Sequence, residues 1–140
     1  MYKNSTAFIA LIPFLIMSLT SCASIREPDF ATTDTIIGSG AEAVAGNMVA
    51  VQYSGWLYDA DKPNHKGKRF DASEPGKPFT FQLGTGRVIK GWDMGVPGMK
   101  VGGKRILVIP SDLAYGRRGA GNKIPPDSTL IFDIELLEVR

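Results

Sequence analysis

The chain has very few of the side chains on which most catalytic and metal sites depend. It contains a single cysteine and a single histidine in 140 residues. A lone thiol cannot form a disulfide within the chain, and a structural zinc site needs about four Cys or His ligands. The histidine, His65, lies in a polar stretch from Tyr58 to Lys68 that we expect to be a surface loop, which is no setting for a Ser-His-Asp triad. The composition argues against a metal site and against acid-base hydrolysis.

An excess of charge of one sign is also missing. The chain has 16 Lys and Arg against 14 Asp and Glu, for a formal net charge of +2. Domains that bind nucleic acid usually present a strongly basic surface. We therefore expect no nucleic acid partner.

Nucleotide-binding loops are lacking as well, although two glycine-rich stretches approach them. Residues 98–104 (GMKVGGK) nearly match a phosphate-binding loop, but Arg105 stands where a Ser or Thr would hold magnesium, and a β-branched run follows instead of a helix. Gly84-Thr85-Gly86 has no third glycine at the spacing of a dinucleotide fingerprint. We interpret the first stretch as a hairpin turn, reject the second as a dinucleotide site, and expect no cofactor.

No apolar run is long enough to span a bilayer comfortably. The longest, Phe8 to Leu19, is interrupted by Pro13, whereas a spanning helix needs about 20 apolar residues. Lys3 supplies a weak positive charge ahead of this run. The pattern is typical of a secretory signal peptide, which we place at residues 1–21.

The leader ends in Leu19-Thr20-Ser21-Cys22, which resembles the lipobox of bacterial lipoproteins. In that reading Cys22 is acylated, for example with palmitate, and becomes the new N-terminus; the alternative is an incidental cysteine near a cleavage site. Burial of acyl chains is worth about 0.8 kcal/mol per CH₂, so several chains form a stable anchor. Because Ala23, not Asp, follows the cysteine, the resemblance implies a protein of the bacterial cell envelope anchored in the outer membrane, on its periplasmic or surface face.

The mature chain has a short polar linker followed by one domain. Residues 22–32 form the lipidated N-terminus and linker, and residues 33–140 form the domain. No long helical segment precedes the domain as a dimerisation stalk, so we expect a monomer. Alternation predicts strands near residues 49–54, 79–83 and 130–136. A continuous apolar run predicts another at residues 106–109, and residues 35–37 are expected to form a short strand that ends at a glycine-rich turn. The alternation changes phase at Glu138, which marks either a bulge or the chain end.

One segment has helical periodicity. Val88, Ile89, Trp92 and Val96 recur at spacings of three and four, and Gly95 with Pro97 ends the helix after about two turns. A helix this short must pack on something to be stable. The fold class is therefore α+β, with a twisted antiparallel β-sheet of about five strands wrapped around one short α-helix.

From residue 33 to 140 the chain resembles the FKBP-type peptidyl-prolyl cis/trans isomerases. The resemblance rests on the order and spacing of seven stretches: Val51-Gln52-Tyr53-Ser54-Gly55, Phe70-Asp71-Ala72-Ser73, Pro78-Phe79-Thr80-Phe81, Val88-Ile89-Lys90-Gly91-Trp92, Ala114-Tyr115-Gly116, Ile124-Pro125-Pro126 and Leu130 to Leu137. It implies a catalyst of X–Pro bond rotation that assists the folding of exported proteins. Proline-containing polypeptides would be its substrates, and macrolide immunosuppressants would be possible ligands.

The resemblance also implies roles for particular residues. Trp92 would be the floor of the pocket, Tyr115 would offer its hydroxyl to a substrate carbonyl, and the backbone N–H of Ile89 would bind the peptide. Asp71 would lie at the polar side of the cavity, and Ile124 would close one edge. The implied walls are Tyr53, Phe70, Phe79, Val88, Ile89 and Phe132.

Two positions depart from the family pattern. Leu113 stands where relatives often have an aromatic residue, and Ala120 replaces a frequent histidine. Leu113 remains among the expected substrate-binding residues. These differences, together with the long stretch from Tyr58 to Lys68, bear on peptide preference, and they leave open the alternative of a polypeptide-binding chaperone with weak isomerase activity.

Overall fold

The computed structural model describes residues 26–140, so the predicted signal peptide and Cys22 lie outside the described residues. This part of the chain forms one six-stranded antiparallel sheet and one short α-helix, which confirms the predicted fold class. None of the helices within residues 26–140 has the length and hydropathy needed to cross a membrane. The elements are β1 (Ala31–Ile36), β2 (Met48–Tyr58), β3 (Lys66–Ala72), β4 (Phe79–Gln82), α1 (Lys90–Gly95), β5 (Lys104–Ile109) and β6 (Leu130–Val139).

The sheet is built around the long strand β2. The strand order is β1-β5-β6-β2-β3, with β4 also paired to β2. Residues 48–51 of β2 pair with β4, and residues 54–58 pair with β3, while β6 runs along the opposite edge of β2. Val49 and Val51 are fully buried, as the period of two along this strand predicts. Strand β2 therefore links the two shorter strands that flank the cavity described below.

Strand β3 was not predicted from the sequence. We expected a polar loop from Tyr58 to Lys68, but β2 continues to Tyr58 and β3 begins at Lys66. Only the residues between them form the connection, and the ring of His65 stacks on that of Tyr58 with centroids 5.0 Å apart. The first four residues of β3, KGKR, have no apolar alternation because they are all partly or fully exposed. Cross-strand pairing thus defines a strand that hydrophobic periodicity does not reveal.

The change of phase near the C-terminus is a bulge. Ala50 pairs with Glu138 and Val51 pairs with Leu136, so Leu137 is an extra residue in β6. A bulge of this kind shifts all following side chains to the other face of the sheet. The alternative, that the pattern ended with the chain, is thereby excluded.

Helix α1 lies close against strand β5 because its contact face is made of glycine. A Cβ at Gly91 would lie 2.4 Å from Cγ2 of Ile109, and one at Gly95 would lie 2.7 Å from Cδ2 of Leu107. The six-residue helix buries Trp92 on the same side. The absence of side chains at the two glycines therefore determines how deeply the tryptophan enters the domain.

The domain begins earlier than residue 33. Strand β1 starts at Ala31, and Phe30 packs against the hydrophobic core. The carboxylate of Glu27 accepts a hydrogen bond from the backbone N–H of Ser111 at 2.9 Å. The residues predicted as the end of a linker are thus part of the folded unit, because their contacts are made with segments distant in sequence.

Candidate active site

A cavity of about 280 Å³ opens between α1, β3, β4 and the loop that carries Tyr115. Nine of the eleven residues predicted for the site line it, together with Arg87, which the sequence analysis did not select. Ligand sites range upward from about 300 Å³, so this cavity suits one small ring and its flanking peptide bonds. The predicted residues that line it are Tyr53, Phe70, Asp71, Phe79, Val88, Ile89, Trp92, Tyr115 and Phe132.

Aromatic rings form its floor and walls. Trp92 and Phe132 are only 4% and 3% exposed, yet both line the cavity and are not sealed beneath it. The ring of Trp92 meets those of Tyr53 and Phe132 edge to face, with centroid distances of 5.0 and 5.3 Å. Edge-to-face pairs contribute about 0.5–1.5 kcal/mol each beyond area burial, so the rings hold one another in place. The result is a rigid apolar floor.

One glycine in β2 makes room for two of these rings. A Cβ at Gly55 would lie 2.7 Å from Cε1 of Phe132 and 2.7 Å from Cζ of Phe70. The two phenylalanines meet edge to face at 5.5 Å. Any larger residue at this position would displace at least one of the two rings.

The polar side of the cavity is formed by Asp71 and two tyrosines. The hydroxyl of Tyr53 donates a hydrogen bond to Oδ2 of Asp71 at 2.7 Å. Burial, then the bond to Asp71, raises the pKa of Tyr53 well above the ordinary tyrosine range. Burial and the nearby charge of Asp71 also raise the pKa of Tyr115. Both phenols are therefore neutral O–H groups at physiological pH.

Two donors at the cavity remain available to a ligand. Within residues 26–140, no group accepts a hydrogen bond from the backbone N–H of Ile89 or from the hydroxyl of Tyr115. Tyr115 is 41% exposed and lines the cavity. An apolar hollow with two unused donors fits an apolar ring flanked by carbonyl groups.

Comparison with known proteins identifies this architecture. The family model described as FKBP-type peptidyl-prolyl cis-trans isomerase matches residues 40–137, well over half of the chain. The chain belongs to this family.

Individual relatives agree with that assignment. The FK506-binding protein of Neisseria meningitidis serogroup A is 53% identical over 103 residues, covering 73% of this chain and 88% of that protein. FK506-binding protein 4 of Emericella nidulans is 52% identical over 107 residues, which cover 76% of this chain; the chain spans only 21% of that longer relative. Among solved structures, AtFKBP13 is 46% identical with a TM-score of 0.67, over 79% of this chain and 93% of that one. FkpA from Escherichia coli is 42% identical with a TM-score of 0.67, over 79% and 48% of the two chains.

The FKBP pocket depends on a carboxylate that the sequence analysis did not select. Asp93, on α1, accepts hydrogen bonds from the backbone N–H groups of Gly84 at 2.8 Å and Gly86 at 2.9 Å. The segment it holds leads directly into Arg87 and the pocket residues Val88 and Ile89. The glycines rejected above as a nucleotide-binding loop thus donate to a carboxylate of the same chain, and Asp93 positions one wall of the pocket.

A second carboxylate holds the loop that carries Tyr115. Oε1 of Glu27 accepts from the backbone N–H of Ser111 at 2.9 Å and from the hydroxyl of Thr129 at 2.5 Å. These two residues lie at opposite ends of the connection between β5 and β6. Hydrogen bonds from Thr129 and Ser111 lower the pKa of Glu27. No sequence pattern indicated this role, because it joins positions 84 and 102 residues apart.

Two predicted site residues do not line the FKBP pocket. Ile124 is 5% exposed and belongs to the hydrophobic core, where its backbone exchanges hydrogen bonds with Ala120. Leu113 packs against the same core. Neither is among the residues that form the cavity wall. The positions at which the chain departs from the family pattern, Leu113 and Ala120, therefore lie outside the cavity lining.

A larger hollow, of about 580 Å³, lies on the face of the sheet away from α1. Its charged residues already form ion pairs: Arg105 pairs with Asp34 at 2.6 Å, and Asp133 pairs with Lys66 at 2.6 Å. Tyr53 is the one ring among its lining residues. The aromatic cavity is the better candidate, because it combines aromatic walls with unused hydrogen-bond donors.

Proposed function

We propose that the protein is a peptidyl-prolyl cis/trans isomerase that acts on X–Pro bonds of exported polypeptides. The observation that supports this is the aromatic cavity, with the unused N–H of Ile89 and hydroxyl of Tyr115 at its edge. Family membership agrees with it. The proline ring would lie over Trp92, and the two donors would bind flanking carbonyl groups.

The chemistry follows from amide resonance. Rotation about a peptide bond has a barrier of about 18–20 kcal/mol because the twisted state loses resonance. Water stabilises the planar form, which carries negative charge on its carbonyl oxygen. An apolar cavity withdraws that stabilisation, and the less charge-separated twisted state loses less. Each ~1.4 kcal/mol of this difference accelerates rotation about tenfold, without proton transfer or a covalent intermediate.

The test is the cis-to-trans relaxation of a proline tetrapeptide, with a matched pair of variants. We expect wild-type protein to accelerate relaxation and a macrolide of the FK506 type to block it. Tyr115→Phe removes one donor and should lower kcat/KM about tenfold, the equivalent of one net hydrogen bond of about 1–1.5 kcal/mol. Tyr58→Phe makes the same change at the tip of the β2–β3 hairpin and should have no effect. A wild-type rate equal to that in buffer would refute the proposal.

The chaperone alternative predicts a different pattern. It was motivated by Leu113 and Ala120, and both residues pack beside the core without lining the pocket. Because these two departures from the family pattern leave the pocket lining unchanged, catalysis is favoured over the chaperone alternative. The alternative would replace it if the protein suppressed aggregation of an unfolded client, left tetrapeptide relaxation unchanged, and kept its protective effect in Tyr115→Ala.

The same proposal places the protein at a membrane. The leader and the motif ending in Cys22 support lipid attachment in the bacterial cell envelope, at the outer membrane. The domain itself is proposed to be a monomer. Because Glu27 is hydrogen-bonded to the domain, only four residues would separate it from the lipidated Cys22, and this span is at most about 18 Å. The pocket would then work close to the bilayer.

Radiolabelled palmitate and membrane fractionation test the anchor. Wild-type protein should incorporate label and sediment with outer membranes, whereas Cys22→Ala should do neither. Ser24→Ala, two residues away, should behave as wild type. Label retained in Cys22→Ala would contradict acylation at this cysteine.

A further inference from the structure

A second hollow adjoins the pocket and shares a wall with it. It measures about 390 Å³. Phe79 and Arg87 line both hollows. Phe79 is 39% exposed, and the two hollows that share it are together called the groove. The residues that line only the second hollow are Met48, Thr80, Phe81 and Gln82.

An unpaired strand edge runs beside this groove. Within residues 26–140, strand β4 pairs with β2 and with no other strand. Its other edge presents backbone N–H and C=O groups of the kind that an extended peptide pairs with. Met48, at the far end of the hollow, is 40% exposed and supplies apolar surface for a side chain of such a peptide. A client whose proline occupies the pocket can therefore continue along β4.

The charge beside the groove is positive and unneutralised. Within the described residues, no carboxylate lies within ion-pair distance of Arg87, whereas Arg105 and Lys66 are each paired with an aspartate. The nearest carboxylate of the pocket, Asp71, already accepts the hydroxyl of Tyr53. A guanidinium with all its donors free is best matched by a carboxylate.

We propose that the groove selects proline segments bearing an aspartate or glutamate near the X–Pro bond, with Arg87 binding that carboxylate while the chain extends along β4. This deepens the proposed isomerase function and rests on it. Arg87 would be a specificity-determining residue, and Met48, Thr80 and Gln82 would contact the extension.

The experiment compares peptides of equal length that carry Asp, Asn or Lys at successive positions on either side of X–Pro. The readout is the ratio of kcat/KM for the Asp and Lys peptides, measured by NMR exchange without a coupling protease. At low salt we expect a ratio of about two to five at one or two positions, the range of an exposed ion pair, falling as salt is added. Arg87→Glu should invert the ratio. Lys62→Glu, the same charge change on the β2–β3 hairpin, should leave it unaltered.

The same ratio is also measured as dissociation constants from chemical shift changes, which separates this inference from the proposed function. If Asp peptides bind more tightly than Lys peptides but their isomerisation is not accelerated, the catalytic proposal is refuted and the inference about charge preference stands. A ratio near one at every position, or a preference that persists in Arg87→Glu, would overturn the inference. Loss of binding to anionic vesicles in Arg87→Glu, with no peptide preference in wild type, would overturn it in favour of a lipid surface.

Discussion

Trp92 shows how one residue serves the site at a cost to stability. Four rings surround it with centroid distances from 5.0 to 6.1 Å. Its Nε1 is buried and has no hydrogen-bond partner within residues 26–140. A buried unpaired donor costs about 1–3 kcal/mol, so a phenylalanine would suit the core better. The presence of an indole is explained by its position, because its broad face forms the floor of the cavity.

Substitution of Trp92 should separate these two contributions. Trp92→Ala is expected to lower the free energy of unfolding by about 3–5 kcal/mol through loss of packing. Trp92→Phe should cost less than about 2 kcal/mol, because removal of the unpaired N–H offsets part of the lost contact. Urea unfolding measures both. Equal losses in the two variants would mean that the indole N–H has a partner.

The Tyr53–Asp71 pair predicts alkaline behaviour. Because the pKa of Tyr53 is raised, the folded state holds the phenol proton more tightly than the unfolded chain does. The stabilisation is fully present below the unfolded pKa of about 10 and is lost as the pH rises above it. Between pH 10 and 12, wild type should lose more free energy of unfolding than Tyr53→Phe, as measured by urea titration at each pH. Parallel losses in the two proteins would contradict the raised pKa.

At the scale of elements, the loop from Pro110 to Thr129 is the least regular part of the site. Its regular structure is limited to short 3₁₀ turns at Ser111–Leu113 and Gly116–Arg118 and an isolated bridge between Ala120 and Ile124. Its two ends converge on the carboxylate of Glu27. The segment before β1 therefore contributes to the position of Tyr115, although it lines no part of the pocket.

Removal of the Glu27 carboxylate should loosen this loop. In Glu27→Ala we expect faster hydrogen exchange at Ser111 and a higher KM with a smaller change in kcat, because the loop is ordered less well before substrate binds. Glu27→Gln keeps an acceptor oxygen and should recover part of the protection. Asp29→Ala, which removes only an exposed pair with Arg26, is the control.

The pH dependence of the Glu27 contact has a defined sign. Since hydrogen bonding lowers the pKa of Glu27, its stabilisation is present at neutral pH and is lost as acidification protonates the carboxylate. Loop exchange in wild type should approach that of Glu27→Ala as the pH falls through the lowered pKa of Glu27. Unchanged exchange at Ser111 in Glu27→Ala at neutral pH would show that the loop is held by other contacts.

For the molecule as a whole, a ligand of the pocket must stabilise the fold. A ligand present at 100 times its Kd, and absent from the unfolded state, adds about 2.7 kcal/mol. A macrolide of the FK506 type should therefore raise Tm by roughly 10 °C in a domain of this size. Calorimetry should show a smaller rise for Tyr115→Phe and the wild-type rise for Tyr58→Phe. If a saturating macrolide did not raise Tm while peptide catalysis remained intact, the pocket would bind peptides but not macrolides.

The sequence alone was enough to predict much of this protein. Periodicity of two predicted which faces of β2, β4 and β6 are buried, because alternation is a local property of an extended chain. The ordered motifs of the family predicted nine residues of the pocket, including Trp92 and Tyr115. The fold class followed from the same patterns and is confirmed by the six-stranded sheet and single α-helix of residues 26–140.

Only the tertiary structure revealed the rest. Strand β3 has a polar first half that cross-strand pairing alone defines, and the roles of Glu27, Arg87 and Asp93 depend on segments that meet after folding. A polar side chain has no periodicity that would reveal its partner, whereas an apolar one shows its burial through its spacing. Local sequence patterns therefore determined the strands, the helix and the aromatic residues of the pocket. Contacts between segments distant in sequence decided which polar groups position the pocket and extend it.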